Sequence, residues 1–346
     1  MASTRWSCAP RSSWKSRSPR EKSPVEQPKR GIPSFEARHE LSLELVHATE
    51  AAALACARLL GKGDPDRVSE VAAEAMRRVL DESGQSGTVV LGPRGDPYLS
   101  HGTSLSRGEP HVDYGLFPIE GASQVARGSS NAVSIVAAVE PGGFAQLPSI
   151  WYVEKMVAGP AARGGIDLDD PIADNLRRIA FARDARVQDL TVAILDRPRH
   201  QDMMAEVAAA GARILTIEEG DIAGAVMAAV PGSGIDAAIG ISGVDATLIA
   251  ACAIRCLGGE LQARLWPRNE DERLLIGDGA GRVYSAADLV PGNDLSVVLT
   301  GVTGGPLLPG VMFGSGYAET ASLLMSSRSA TLRRLTTRHH TLGDAS

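Results

Sequence analysis

Apolar residues recur every three to four positions near the start of the chain. Leu41, Leu45, Ala48, Ala52 and Cys56 line one side of a helix, and Glu44, His47 and Glu50 fall elsewhere. The spacing predicts a helix over 41–60, stopped by Gly61 and Gly63. Asp64 and Pro65 read as the N-cap and first position of a second helix reaching Leu80. After Gly87 the pattern becomes that of a short strand over 88–91, and a loop rich in Gly, Pro and Ser fills 92–110. Strands are expected at 112–116 and 131–139, and a helix at 171–182. Strand and helix patterns then alternate, with strands at 190–195, 213–217 and 236–241 and helices at 200–210, 222–229 and 247–256. A last strand is expected at 294–300. Short connections between alternating elements predict an α/β fold rather than a repeat array.

Residues 1–36 carry no apolar period and are rich in Ser, Arg, Lys and Pro, so they cannot bury a core. The chain therefore divides into a disordered basic tail (1–38), a folded domain (39–336) and a frayed end (337–346). The tail holds nine Lys/Arg against three Asp/Glu, while the remainder holds 26 against 38. That acidic body repels nucleic acid. The tail's composition fits either a transit peptide or a dispensable extension, and it lacks the apolar run of a secretory signal. No apolar stretch is long enough to span a membrane. Aromatic residues make up only 4% of the chain, so the core must be built from Ala, Val, Leu and Ile. Of four cysteines, Cys8 lies in the tail and Cys252 and Cys256 sit one helical turn apart, which gives neither a disulfide framework nor zinc spacing. A reducing, cytoplasmic setting is expected.

Several segments carry a resemblance. "ELVHATEAAALACARLLGKGD" from Glu44, "VAAEAMRRVL", "GTVVLG", "PIEG", "ADNLRR", "PRH" and "TGVTGG" occur in this order between residues 39 and 336. Together they resemble the class II fructose-1,6-bisphosphatases. The resemblance implies the layered α-β-α-β-α sandwich of the lithium-sensitive sugar and inositol phosphatases. It also implies hydrolysis of a phosphate monoester assisted by Mg²⁺ or Mn²⁺, which neutralise the phosphate and lower the pKa of an attacking water, and it suggests a homo-oligomer.

In that family five carboxylates hold the metals, and this sequence keeps one of the five. The resemblance places them at Ser69, Pro93, Phe117, Glu120 and Ala246, and only Glu120 is an acid. The usual acidic run beside the second position reads Gly92-Pro93-Arg94-Gly95, and a hydroxyl that orients the attacking water is replaced by Ala122. Pro, Phe and Ala offer no side-chain oxygen to a hard cation. No metal or other cofactor is expected, and Mg²⁺ or Mn²⁺ enters only if Asp66, Asp96 or Asp245 rebuild the site. Glu70 points to another side of its helix. The alternative for these acids is that they are solvated loop and helix-surface residues.

The substrate side is better preserved. Here the resemblance implies a distal-phosphate and sugar site at Tyr152 and at Arg197-Pro198-Arg199, with Glu219-Gly220-Asp221 gripping sugar hydroxyls and Gly243 near the reacting phosphate. Guanidinium groups suit phosphate, and carboxylates suit hydroxyls. Backbone N–H groups at Gly121, Ala122 and Ser123 could face an anion if they open a helix, and Ser123 is otherwise an ordinary N-cap. Arg197 and Arg199 alone read better as a surface pair beside a strand end, and it is Tyr152 and 219–221 in register with them that favour a pocket. His101 and His111 flank the altered loop as acid–base candidates or plain loop histidines. The glycine-rich stretches 277–281 and 300–305 lack the strand–motif–helix setting of a nucleotide site and read as turns. Between Arg268 and Val283 the chain is shorter than the family pattern by about twenty residues.

These residues imply a divergent family member that binds a small phosphorylated sugar or cyclitol and has a degraded metal site. Three functions stay open: a protein repurposed for metal-independent chemistry in specialised metabolism, a sugar-phosphate phosphatase with relocated metal ligands, and a non-catalytic partner or sensor. Glu120 is the one catalytic candidate.

Overall fold

The computed structural model describes residues 39–93, 95–107 and 111–340. The tail (1–38), Arg94 and residues 341–346 therefore lie outside the described residues. The first half contains α1 (His39–Ala57), α2 (Pro65–Glu82), β1 (Gly87–Leu91), β2 (Ser104–Leu105), β3 (Val112–Glu120), α3 (Ala122–Arg127), β4 (Val133–Val139), β5 (Tyr152–Ala158) and α4 (Ile172–Ala182). Next come β6 (Thr191–Leu195), α5 (Gln201–Ala210), β7 (Arg213–Ile217), α6 (Asp221–Ala229), β8 (Ala237–Gly243) and α7 (Val244–Leu257). The chain continues through β9 (Glu260–Trp266), α8 (Glu270–Ile276), β10 (Val283–Ser285) and α9 (Ala286–Leu289). It closes with β11 (Leu295–Gly301), β12 (Met312–Gly314), β13 (Tyr317–Ser326) and β14 (Thr331–His340).

The strands form two sheets. The larger runs β12-β13-β11-β4-β3-β1-β2, and β14 pairs along β13. The smaller runs β10-β9-β5-β8-β6-β7. Only β1–β3, β6–β7 and β6–β8 are parallel pairs. Three apolar clusters show the layering. Leu45, Ala52 and Met76 of the first two helices pack on Tyr114, Leu116 and Val136 of the larger sheet. The opposite face of that sheet, with Ile135 and Val297, meets α6 and α7, which in turn meet Val153 and Val157 of the smaller sheet. Leu176, Ile179 and Val207 of α4 and α5 cover the far face of the smaller sheet. The result is the expected α-β-α-β-α sandwich.

The middle layer explains the composition. A helix between two sheets must be apolar all round. Every residue from Ile222 to Ala229 in α6 is buried, as is every residue from Ala246 to Ile254 in α7. Small side chains keep both sheets close. At Gly115 on β3, an added methyl would lie 2.9 Å from the Ile249 side chain of α7. At the outer layer, Asp64 caps α2 by accepting from the Arg67 N–H at 2.9 Å, with Pro65 following, as its sequence predicts.

The structure extends several elements. The strand expected at 112–116 continues to Glu120, and the helix expected at 247–256 starts at Val244. β5, β9 and the β13–β14 hairpin are additional to the sequence reading. Residues 337–340, expected to fray, pair with Tyr317 to Thr320 of β13.

Ile249 is fully buried in the middle layer. Ile249→Ala should cost about 2–5 kcal/mol through lost burial and the cavity left behind, and Gly115→Val about 1–3 kcal/mol through overpacking. Urea unfolding midpoints at constant slope measure both; unchanged midpoints would mean that the middle layer is loosely packed.

Candidate functional site

Sheet topology gathers the candidate residues. β6, β7 and β8 run in one direction, so their carboxyl ends share an edge, and antiparallel β5 begins there with Tyr152 opposite Gly243. Arg197 to His200 follow β6, Glu219 to Asp221 follow β7, and Gly243 closes β8 and caps α7. Ligands of α/β sheets sit at such carboxyl ends. Glu120 arrives from the larger sheet, at the end of β3.

His200 explains how the turn after β6 is held. The ring is fully buried. Nδ1 lies 2.7 Å from the Leu195 carbonyl, and Nε2 accepts the Ile241 N–H at 2.8 Å. That pattern fits the neutral ring, and burial pushes its pKa down despite the Leu195 carbonyl. Arg199 is thereby brought to the same strand, where Nε and Nη2 donate to the Ile241 carbonyl at 3.2 and 2.9 Å. Its guanidinium carbon stands 4.8 Å from the centre of the Tyr152 ring. Tyr152 meets Trp266 edge-on at 6.3 Å. Arg197 turns back on its own segment and donates to the Asp196 carbonyl at 2.8 Å.

No carboxylate among the described residues pairs with Arg197 or Arg199, and none of them accepts from Nη1 of Arg199 or bonds to the Tyr152 hydroxyl. Arg199 and Tyr152 thus meet with hydrogen-bonding capacity left over. Pro198 fixes the turn between the two arginines.

A buried charge cluster lies beneath. Lys155 is 2% exposed, and its ammonium donates to both Asp221 oxygens at 2.7 and 2.6 Å and to Ser242 Oγ. Ser242 continues to Thr247 at 3.2 Å, and Thr247 donates to the Gly243 carbonyl at 3.0 Å. Asp221 is the first residue of α6. Glu120 accepts from the next two N–H groups, of Ile222 at 2.9 Å and Ala223 at 3.1 Å. Gly220, with φ of 104°, makes the turn into α6, and Gly121, with φ of 99°, makes the turn into α3 beside Ala122 and Ser123. The Gln124 carbonyl oxygen in α3 is buried without a hydrogen-bond partner.

At the positions that the resemblance assigns to metal, the described side chains are otherwise engaged. Ser69 donates its hydroxyl to the Pro65 carbonyl at 3.0 Å, Phe117 packs against the middle apolar cluster, and Ala246 is buried. Both Glu120 oxygens already accept backbone N–H groups. Among the neighbouring acids, Asp66 is exposed, Glu70 pairs with Arg67 at 2.5 Å, and Asp96 accepts from the N–H groups of Tyr98 and Leu99 at 2.8 Å. Asp245 and His101 line a separate cavity of about 750 Å³ with Asp113 and Gln146, and neither Tyr152 nor Arg199 borders it. His111 is exposed. Among the described residues, no three His, Cys, Asp or Glu side chains are grouped to hold a metal ion.

Lys155, His200 and Ser242 are site residues that sequence reasoning did not single out. Lys155 had a signal: it interrupts the apolar face of β5 between Val153 and Val157. A charge there must find a buried partner.

Glu120 titrates unusually. Burial pushes its carboxyl up to about 7; the Ile222 and Ala223 N–H groups and Lys155 oppose this, and Asp221 adds to it. The folded state therefore binds this proton more tightly than the unfolded chain. The associated stability is full below the ordinary carboxylate range and is lost as pH rises through about 7. In chelator, wild type should lose up to about 3 kcal/mol relative to Glu120→Gln between pH 4.5 and 8. Urea titrations of both proteins across this range measure it; a difference independent of pH would place Glu120 in an ordinary environment.

The same span is recognised by comparison. Residues 39–339 match the family model for the bacterial fructose-1,6-bisphosphatase encoded by glpX. The class 2 fructose-1,6-bisphosphatase 1 of Escherichia coli K12 is 35% identical over 325 residues, covering 88% of this chain and 96% of that relative. The class 2 enzymes of Escherichia coli O6:H1 and Shigella flexneri match to the same extent. With the sandwich, the carboxyl-end cluster and this coverage together, the chain belongs to the class II fructose-1,6-bisphosphatase family.

Proposed function

We propose that this family member binds a phosphorylated sugar or cyclitol through Tyr152, Arg197 and Arg199, and that it has lost metal-dependent hydrolysis. The supporting observation is the contrast between the two halves of the site. Around Tyr152, the Arg199 guanidinium and the phenol have no acidic partner among the described residues and keep bonds to give. At the metal positions, Ser69, Pro93, Phe117 and Ala246 supply no carboxylate. Bound Mg²⁺ or Mn²⁺ would supply phosphate neutralisation and an activated water, and these residues do not fit such an ion.

In this reading Arg199 presents a fixed edge to phosphate, because the Ile241 carbonyl and the His200 bracket set its orientation. Tyr152 donates its hydroxyl to the same anion. Lys155 holds Asp221 oriented at the start of α6, where a sugar hydroxyl can donate to its remaining lone pairs. Glu120 holds a proton near neutral pH and is the one acid suited to metal-independent proton transfer. That inventory supports the reading of repurposed, metal-independent chemistry, for which specialised metabolism is the proposed setting. The three described cysteines are free thiols, which supports a reducing, cytoplasmic setting. No described helix is long and apolar enough to cross a membrane.

Two outcomes are expected. Purified protein should release no phosphate from fructose 1,6-bisphosphate above background with Mg²⁺ or Mn²⁺; robust, chelator-sensitive release would instead establish a working phosphatase with relocated ligands. Calorimetric titration in chelator should show binding of a sugar monophosphate. Arg199→Ala should weaken it about ten- to a hundredfold, the value of a charge-assisted hydrogen bond, and Arg199→Lys should recover part of it. Arg334, exposed on β14, is the control. Equal affinity of wild type and Arg199→Ala would show that this cluster is not the binding site.

A further inference from the structure

Arg268 lies outside the segments that the family resemblance assigns to substrate, where the chain is shortened. Its guanidinium carbon is nevertheless 6.0 Å from the centre of the Tyr152 ring and 4.9 Å from that of Trp151. Arg199 stands 4.8 Å from the same Tyr152 ring. Two guanidinium groups therefore share one tyrosine at the edge where Arg197 also emerges.

Arg268 is held there by a built bracket. Asn269 caps α8 by accepting the Glu272 N–H at 2.9 Å. Glu272, 5% exposed, accepts from Arg268 at three atoms: the backbone N–H and Nε at 2.8 Å and Nη2 at 2.6 Å. These bonds hold the Glu272 carboxyl below the usual range, Arg268 contributing most and the Trp151 N–H adding to it. The bracket thus joins α8 to the strand entry that carries Tyr152. It spends Nε and Nη2 and leaves Nη1, from which no described residue accepts. The Arg268 side chain is 39% exposed.

We infer that Arg268 is a further binding residue of this site, a third guanidinium that selects a doubly charged phosphate monoester over a singly charged ester. The inference rests on the reading that the Tyr152 cluster binds a phosphorylated sugar. Its physical basis is charge. Arg197 and Arg199 lack acidic partners, and the one negative charge bound to Arg268 is Glu272. Arg268 with Glu272 is neutral overall, so its contribution is the directed Nη1 donor, and a dianion, a stronger acceptor than a monoanion of the same shape, gains more from it. The shortened segment after β9 keeps Asn269 and Glu272 as the supports of Arg268.

The test compares fructose 6-phosphate with fructose 6-sulfate by calorimetry in chelator at pH 8, where the phosphate is a dianion. Wild type should prefer the phosphate. Removing Arg268 alone would strand a buried carboxylate, so the variant is Arg268→Met with Glu272→Gln. It should lose about tenfold or more in affinity for the phosphate and markedly less for the sulfate. Arg282→Ala, which removes a guanidinium 4.6 Å above Tyr284, is the control and should change neither affinity. A second measurement needs no variant: fructose 6-phosphate should shield Arg268 and Arg199 of wild type from an arginine-specific dicarbonyl reagent, read by peptide mass spectrometry, and leave Arg282 unshielded. If wild type binds neither ester, the sugar-phosphate reading itself fails. If it binds the phosphate but Arg268 is unshielded, or the double variant loses both esters equally, Arg268 is a scaffold residue and this inference alone is overturned.

Discussion

The N-terminus of α6 is the joint on which the rest of the site depends. The larger sheet reaches it with the Glu120 carboxyl, which accepts the Ile222 and Ala223 N–H groups. The smaller sheet reaches it with the Lys155 ammonium, which grips Asp221. A helix start leaves its first N–H groups unsatisfied, and this one is sealed in the protein interior. The larger sheet supplies acceptors for two of them through Glu120, and the smaller sheet holds the side chain of the first helical residue through Lys155. The same contacts that complete the helix thus set the spacing of the sandwich and the position of Asp221. A buried ion pair is a weak source of net stability, because desolvating both charges offsets much of their attraction. Its value here is positional, since it fixes Asp221 at the first turn of α6, joined through Lys155 to Ser242 of β8.

The replacements at the metal positions are consistent with that arrangement. Five carboxylates without cations would repel one another and resist burial. Phe117 instead packs against the middle apolar cluster, and Ala246 is buried in the first turn of α7. Under the proposal that the metal site is lost, each stands where a metal-bound acid would, and needs only neighbours. Glu120 differs in having backbone donors for both oxygens.

The fold was largely legible where apolar period and capping agree. α2 shows this best, with Asp64 and Pro65 at its start and Val68, Ala72 and Met76 facing inward. The strands missed share a physical reason. β9 alternates buried and half-buried positions, but Glu260, Gln262 and Arg264 make it read as polar chain. β5 places Lys155 on an apolar face, where the partner that makes it tolerable is 66 residues away. β14 presents mostly half-buried and exposed side chains, and its pairing with β13 gives it order that its own sequence does not advertise. The site divides along the same line. Residue types at Arg197 to Arg199 and Glu219 to Asp221 could be read locally, whereas the duty of His200 emerges only when β8 lies beside it.

Unpaired guanidinium groups in this setting have a cost that constrains what they are for. Elsewhere in the structure arginines find acids: Arg67 with Glu70, Arg77 with Asp81, Arg183 with Asp236 and Arg264 with Glu154. Others, among them Arg58, Arg282 and Arg334, have no ion pair among the described residues, so what sets Arg199 apart is its fixed, half-buried posture rather than the lack of an acid. Arg199 is half-buried, tied to a carbonyl and stacked on Tyr152, a posture that orders a long side chain and removes part of its hydration. A surface arginine released from such constraints would regain rotamer freedom and water. The ring and the carbonyl recover some of that cost, and the His200 bracket prevents relaxation into solvent. What remains is positive charge held ready at a strand edge with no protein anion to meet it, and a phosphate ester is a counterion of the right charge and geometry.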